Sequence, residues 1–391
     1  MARKNAYITP ELLVWARERI KMPLELAAQM TGVTKQVFQD WEKGIKLPTI
    51  NQAKKFSQKV KIPYSWLFLA KPPLKYKLPT NTDYRTFDNY LLDENPMELQ
   101  YLMADIAMRR DAMIELYAEM NIRLPVFEQY FDEKTIDNTI IAQTIRQLLG
   151  ITLEQQDRFK NSSEAFNYYQ EALSNIGILV FQSSKISNNI MRGMSIFNTV
   201  FPIIVVNRKD EFNARIFTLM HEFVHILTRT PGICDYLDIH SNNHYSIEIK
   251  CNRIAAEVLV PNQALLSNKY WIQIQNNGWD DGIIYKISRF FTVSREVIVG
   301  RLLTLGKIEY ELYNNKLKQY SAEYEQHVAS KVKSNGFLPK SSDVCLQVGK
   351  LYARTIMNAY SQEIITPSDA SYFLGGLRLQ HFDKVERWCF S

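Results

Sequence analysis

Cysteine is scarce. Four residues in 391, Cys234, Cys251, Cys345 and Cys389, are scattered along the chain. That excludes a disulfide-stapled scaffold and suits a reducing compartment, so a cytoplasmic protein is expected. Long apolar runs are also missing: GILVF at 177–181 is typical, far short of the roughly 20 residues that a bilayer span needs, and no membrane partner is expected. The opening MARKNAYITP carries charge but no apolar stretch, which argues against a secretory signal. There is no internal repeat and no low-complexity tract. What is there is ordinary for a soluble globular chain, 46% hydrophobic and 23% charged. The length suggests two to four domains at roughly 100–200 residues each.

Charge is uneven. Residues 1–77 hold 15 Lys/Arg against 5 Asp/Glu, a net +10, which leaves −4 on the rest of a chain whose total is +6. A basic front on a mildly acidic body is the footprint of a nucleic-acid module fused to something else. Within that front Thr9, Pro10 and Glu11 make a helix start, and PLELAAQMTGVTKQVFQDWEKG reads as two helices about a tight turn. Gly32 supplies the positive φ, Ala28 allows close packing, Thr34 caps the second helix, and Val37, Phe38 and Trp41 form its apolar stripe. Lys35, Gln36, Gln39 and Lys43 lie opposite, where side chains reach base edges and phosphates in a major groove; Asp40 is expected to oppose phosphate. This layout, with WEKGIKLPT, a further amphipathic helix and a PP-rich exit, resembles the XRE-type helix-turn-helix family over roughly 60 residues. The resemblance implies DNA as a partner.

Residues 71–95, rich in proline and polar side chains, read as a linker, and 96–160 as a helical connector with a Leu/Met stripe. After Gly177 the period changes to short β-rich runs, Ile178–Phe181, Met194–Phe197 and Ile203–Val206. The segment FNTVFPIIVVN offers itself as an edge strand that binds substrate by strand addition.

The helix FTLMHEFVHILTR carries the chemistry. His221 and His225 are one turn apart, so both imidazoles point the same way, with Glu222 beside the first. Two imidazoles and a third protein ligand hold zinc and leave a position open; zinc acidifies water, and a neighbouring carboxylate takes the proton. Thr228 and Pro231 occupy the places where a metzincin carries Gly and His, which excludes that class. The alternative source of a third ligand is a carboxylate on a later helix, with Glu248 favoured and Glu257 its rival. Glu248 in IEIKCNRIAAEVLVP supplies it, and Asn252 one turn on is placed to orient a ligand histidine. Glu257, two and a half turns beyond Glu248, is expected to face outward in a structural role.

GMSIF, PIIVVN, NARIFTLMHEFVHIL and IEIKCNRIAAEVLVP, in this order behind an XRE-like domain, resemble the ImmA/IrrE family of metallo-endopeptidases over nearly the whole chain. The family cleaves helix-turn-helix repressors. By position, the resemblance implies His221, His225 and Glu248 as metal ligands, Glu222 as general base, and an XRE-type repressor as substrate. Val224 stands where many members carry Gly, for which tighter packing is expected. His2Glu suits manganese as well as zinc. His240, His244, Tyr236 and Tyr245 are candidate oxyanion donors, and Cys251 is expected to be a small buried thiol.

In the tail, IIYKISRFFTVSREVIVGRLLTLG has helix-turn-helix spacing without the turn glycine and is expected to be a packing element. The expected fold class is α+β and mostly helical. It comprises an all-α helix-turn-helix domain (1–70), the linker and connector, a zincin-like peptidase domain with a small sheet (161–282), and a helical C-terminal region (283–391). The rival readings are a non-catalytic DNA-binding regulator that uses the metal fold as a sensor, and an antitoxin-like interaction protein.

Overall fold

The computed structural model describes residues 4–73, 97–132, 136–230, 232–234, 244–330 and 339–390. The chain forms two compact units, Met1–Tyr117 and Ala118–Ser391. It is α+β and mostly helical.

The first unit is built from α1 (Pro10–Arg19), α2 (Leu24–Thr31), α3 (Lys35–Glu42), α4 (Ile50–Val60) and most of α5 (Met97–Glu119). Local chemistry sets the ends. Gly32 closes α2 at φ 78, Thr34 caps α3 by accepting from Val37 N–H, and Thr49 and Gln52 form a capping box on α4. Thr9 does not cap α1; its hydroxyl donates to the Leu69 carbonyl instead, and Pro10 alone starts the helix. Leu12, Ala16, Ala28, Phe38, Trp41 and Phe56 make the core. Helix α5 joins it through Ala104, and its Asp105 pairs with Lys61 at 2.6 Å and Arg109 at 3.0 Å.

The second unit starts with α6 (Asn138–Leu148), α7 (Leu153–Arg158) and α8 (Ser162–Asn175). A four-stranded sheet follows, made of β1 (Leu179–Ser183), β2 (Gly193–Ile196), β3 (Ile203–Asn207) and β4 (Gly232–Cys234), in the order β1-β3-β2-β4. The β1–β3 pair is parallel, and β2 is antiparallel to both β3 and β4. Helices α9 (Phe212–Thr228) and α10 (His244–Leu259) pack on each other. Behind them come α11 (Asn262–Leu266), α12 (Lys269–Asn277), α13 (Asp281–Phe291), α14 (Arg295–Thr304) and α15 (Tyr310–Ser330). Last are α16 (Lys340–Ser361), α17 (Pro367–Phe373) and α18 (Phe382–Phe390). Thr366 and Asp369 form the capping box of α17, and Gly375 and Gly376 stop it at φ 68 and 81.

Two sequence expectations change here. PIIVVN is not an edge: β3 is fully buried and paired on both sides. The stretch 96–160 is divided between the units, for α6 packs on α10 and buries Ile141 and Ile145 in the same core as α9. Among the described residues no helix is long and apolar enough to cross a membrane.

Candidate metal centre

Helix α9 is apolar on nearly every face. Ile216, Leu219, Met220, Phe223, Val224 and Leu227 are all fully buried, and with them go His221, Glu222 and His225. Burying three polar side chains inside a helix is costly unless they find partners or a cation. Helix α10 brings the partner. Its Cys251, Ile254, Ala255 and Val258 are buried in the shared core, which turns Glu248 toward α9. The Glu248 carboxylate lies 3.2 Å from His221 Nε2 and 3.3 Å from His225 Nε2, and the two Nε2 atoms are 2.9 Å apart. Ligand-type atoms of these three residues all fall within 4.8 Å of one another.

The far end of α10 is tied down. Arg146 donates to the Val258 carbonyl at 2.6 Å, Gln156 to Leu259 at 2.9 Å, and Arg301 to Val260 at 3.2 Å. Arg301 also pairs with Glu257 and Asn262. Glu257 therefore points away from the cluster, as its spacing requires, but not outward: it is buried against α14. Helical periodicity gave its direction and could not show that Arg301, 44 residues on, waits there.

Electrostatics favour a positive charge between these groups. Burial opposes the ionised form of Glu248, but hydrogen bonds with His221 and His225 outweigh it and hold the carboxyl well below its usual range. Burial likewise opposes charge on His225, yet Cys251 and Glu248 lift its pKa to about 10. A site that stabilises a cation among two imidazoles and a carboxylate fits a His2Glu metal set. His221, His225 and Glu248 are the residues that would hold the ion.

Glu222 differs. Burial pushes its carboxyl up, and the neighbouring histidines pull it back only in part. Neither oxygen has a hydrogen-bond partner among the described residues. The Ser195 hydroxyl is near enough to favour the ionised form without an ordinary hydrogen bond. Strand β2 reaches this carboxylate because residue 193 is glycine: a Cβ there would sit 2.8 Å from Glu222 Oε1 and 2.3 Å from Thr218 Cγ2. Neither Gly193 nor Ser195 is singled out by the sequence, where GMSIF reads as a strand and as part of the family resemblance.

The outer ring nitrogen of His225 is met by Thr230 Oγ1 at 3.0 Å, so Asn252 is not the group on that ring. Tyr236 and His240 lie outside the described residues, as do the side chains of His244 and Tyr245. In the first unit Lys35, Gln36 and Lys43 are exposed and Gln39 is half-buried. Lys35 pairs with Glu25 at 2.5 Å, and Gln36 donates to Asp40 at 3.1 Å. Asp40, expected to oppose phosphate, is buried and paired with Lys46 at 2.8 Å.

Residues 174–303 match the family model Peptidase_M78, described as the IrrE N-terminal-like domain. The match runs from the end of α8 through α14 and includes every residue of the cluster, so this region is of metallopeptidase type. No curated protein matches the chain.

Proposed function

We propose that the protein is a cytoplasmic zinc-dependent endopeptidase that cleaves an XRE-type repressor, with a fused DNA-binding domain. Manganese is the alternative ion. The observation that carries this reading is Glu222, a fully buried carboxylate without a hydrogen-bond partner among the described residues, adjacent in sequence to His221 of the His2Glu set. A bound divalent ion would polarise the scissile carbonyl and acidify water. Glu222 takes a proton from the attacking water as the C–O bond forms, and delivers it to the amine nitrogen as the C–N bond breaks. Its raised pKa matches a group that must both accept and return that proton. Substituting Glu222 by Gln should leave metal content intact and abolish cleavage of a co-encoded repressor. Cleavage at the wild-type rate would remove Glu222 from the mechanism.

The DNA side of the reading rests on α3, which follows a tight glycine turn and leaves Lys35, Gln36 and Lys43 exposed in the basic front of the chain. A gel shift whose affinity falls with salt would support it.

A further inference from the structure

We infer that Thr230 is a positioning residue that fixes the ring of His225, through a hydrogen-bond chain that ends on the backbone of α9. The inference rests on the metal-centre reading above. Helix α9 ends in a Schellman-type turn. Arg229 N–H bonds the Ile226 carbonyl at 3.3 Å, and Thr230 N–H bonds the His225 carbonyl at 3.1 Å. Arg229 takes the left-handed conformation, φ 52, where glycine is usual. Its guanidinium lies over the rings of Tyr130 at 4.8 Å and Phe197 at 4.9 Å, which holds the turn in place. The result folds Thr230 back onto His225 twice, once through the backbone and once through the hydroxyl.

The direction of each hydrogen follows from the last link. Thr228 Oγ1 lies 3.0 Å from the Val224 carbonyl and 3.4 Å from the His225 carbonyl, and both can only accept. We place the single hydroxyl hydrogen of Thr228 there. Thr230 must therefore donate across the 2.7 Å contact to Thr228, and so meets His225 Nδ1 with a lone pair. Nδ1 must carry hydrogen. That leaves Nε2 turned toward His221 and Glu248, the tautomer and orientation a metal ligand needs. Cys251 Sγ, 3.8 Å from the same Nδ1, is the weaker second acceptor.

The test is a zinc titration of the full chain against a chromophoric chelator. Thr230→Val should weaken zinc binding by roughly tenfold or more, while Thr230→Ser, which keeps the hydroxyl, should bind like wild type. Equal affinity in the valine variant, or equal loss in the serine variant, would overturn the role of Thr230. Should the valine variant not fold, Thr228→Val breaks the same chain one link further along, and unchanged zinc affinity there overturns the proposal. A wild-type chain that binds no zinc would instead sink the metal centre itself.

Discussion

The two units each contain a helix-turn-helix, and the turns are nearly superimposable in their hydrogen bonding. In α2–α3, Gly32 N–H bonds Gln29, Val33 N–H bonds Ala28 at 3.0 Å, and Thr34 caps the second helix. In α13–α14, Thr292 N–H bonds Arg289, Val293 N–H bonds Ser288 at 3.0 Å, and Ser294 caps. The left-handed residue is Gly32 at φ 78 in one and Thr292 at φ 54 in the other. What differs is the second helix. Helix α3 leaves Lys35, Gln36 and Lys43 in solvent. Helix α14 buries Ile298, Val299, Arg301 and Leu302, and α15 holds its Arg295 through Glu323 at 2.6 Å and the Tyr320 ring at 4.0 Å. The same backbone device presents a surface in one place and braces α10, the helix that carries Glu248, in the other. A helix-turn-helix spacing therefore says nothing about DNA until the exposed face is known.

The largest effect is expected at Arg301. Replacing it with Leu strands Glu257 as a buried, unpaired charge, and a loss of about 3–5 kcal/mol is expected in denaturant unfolding of the second unit. A change under about 0.5 kcal/mol, normal for a surface site, would show that α14 is not a brace. Next comes Asp281, which starts α13 and accepts from Lys316, Trp279 and Tyr320. Partial burial pushes its carboxyl up, but those bonds hold it well below the ordinary aspartate value of 3.8. Because the folded pKa is depressed, its contribution is present above 3.8 and is lost as pH falls further. Asp281→Asn should cost about 2 kcal/mol at neutral pH, and the gap from wild type should close in acid. A gap independent of pH would assign the cost to shape rather than charge.

The two turns should respond differently to substitution. Gly32→Thr should destabilise the first unit by about 1–2 kcal/mol, whereas Thr292→Gly, which relieves the same strain, should change the second by less. Equal losses in thermal unfolding would mean that the turns are held differently. The smallest effect on folding is expected at the exposed faces. Lys43→Ala should leave stability alone and reduce the salt slope of DNA binding by about 1, and Arg295→Ala should leave DNA binding unchanged. A DNA defect in the Arg295 variant would reverse the assignment of roles.

Much of this was legible in the chain itself. The one-turn spacing of His221 and His225, and the apolar stripe that turns Glu248 inward, are helical periodicities, and periodicity survives folding. The cap at Thr34 is equally local. What could not be read is what meets across long separations. The Arg301–Glu257 pair needs α14 against α10. The approach of Gly193 to Glu222 needs β2 against α9. Thr230 reaches His225 only because Arg229 accepts a glycine conformation, held by two rings from elsewhere. The central position of β3 was hidden because a doubly buried strand and an edge strand carry similar short apolar runs.

The cluster of His221, His225 and Glu248 should hold one divalent ion. Elemental mass spectrometry of the purified chain beside a Glu248→Ala variant tests it most directly. About one zinc per wild-type chain, largely lost in the variant, is expected. No bound metal in either, even after zinc is supplied, would contradict it.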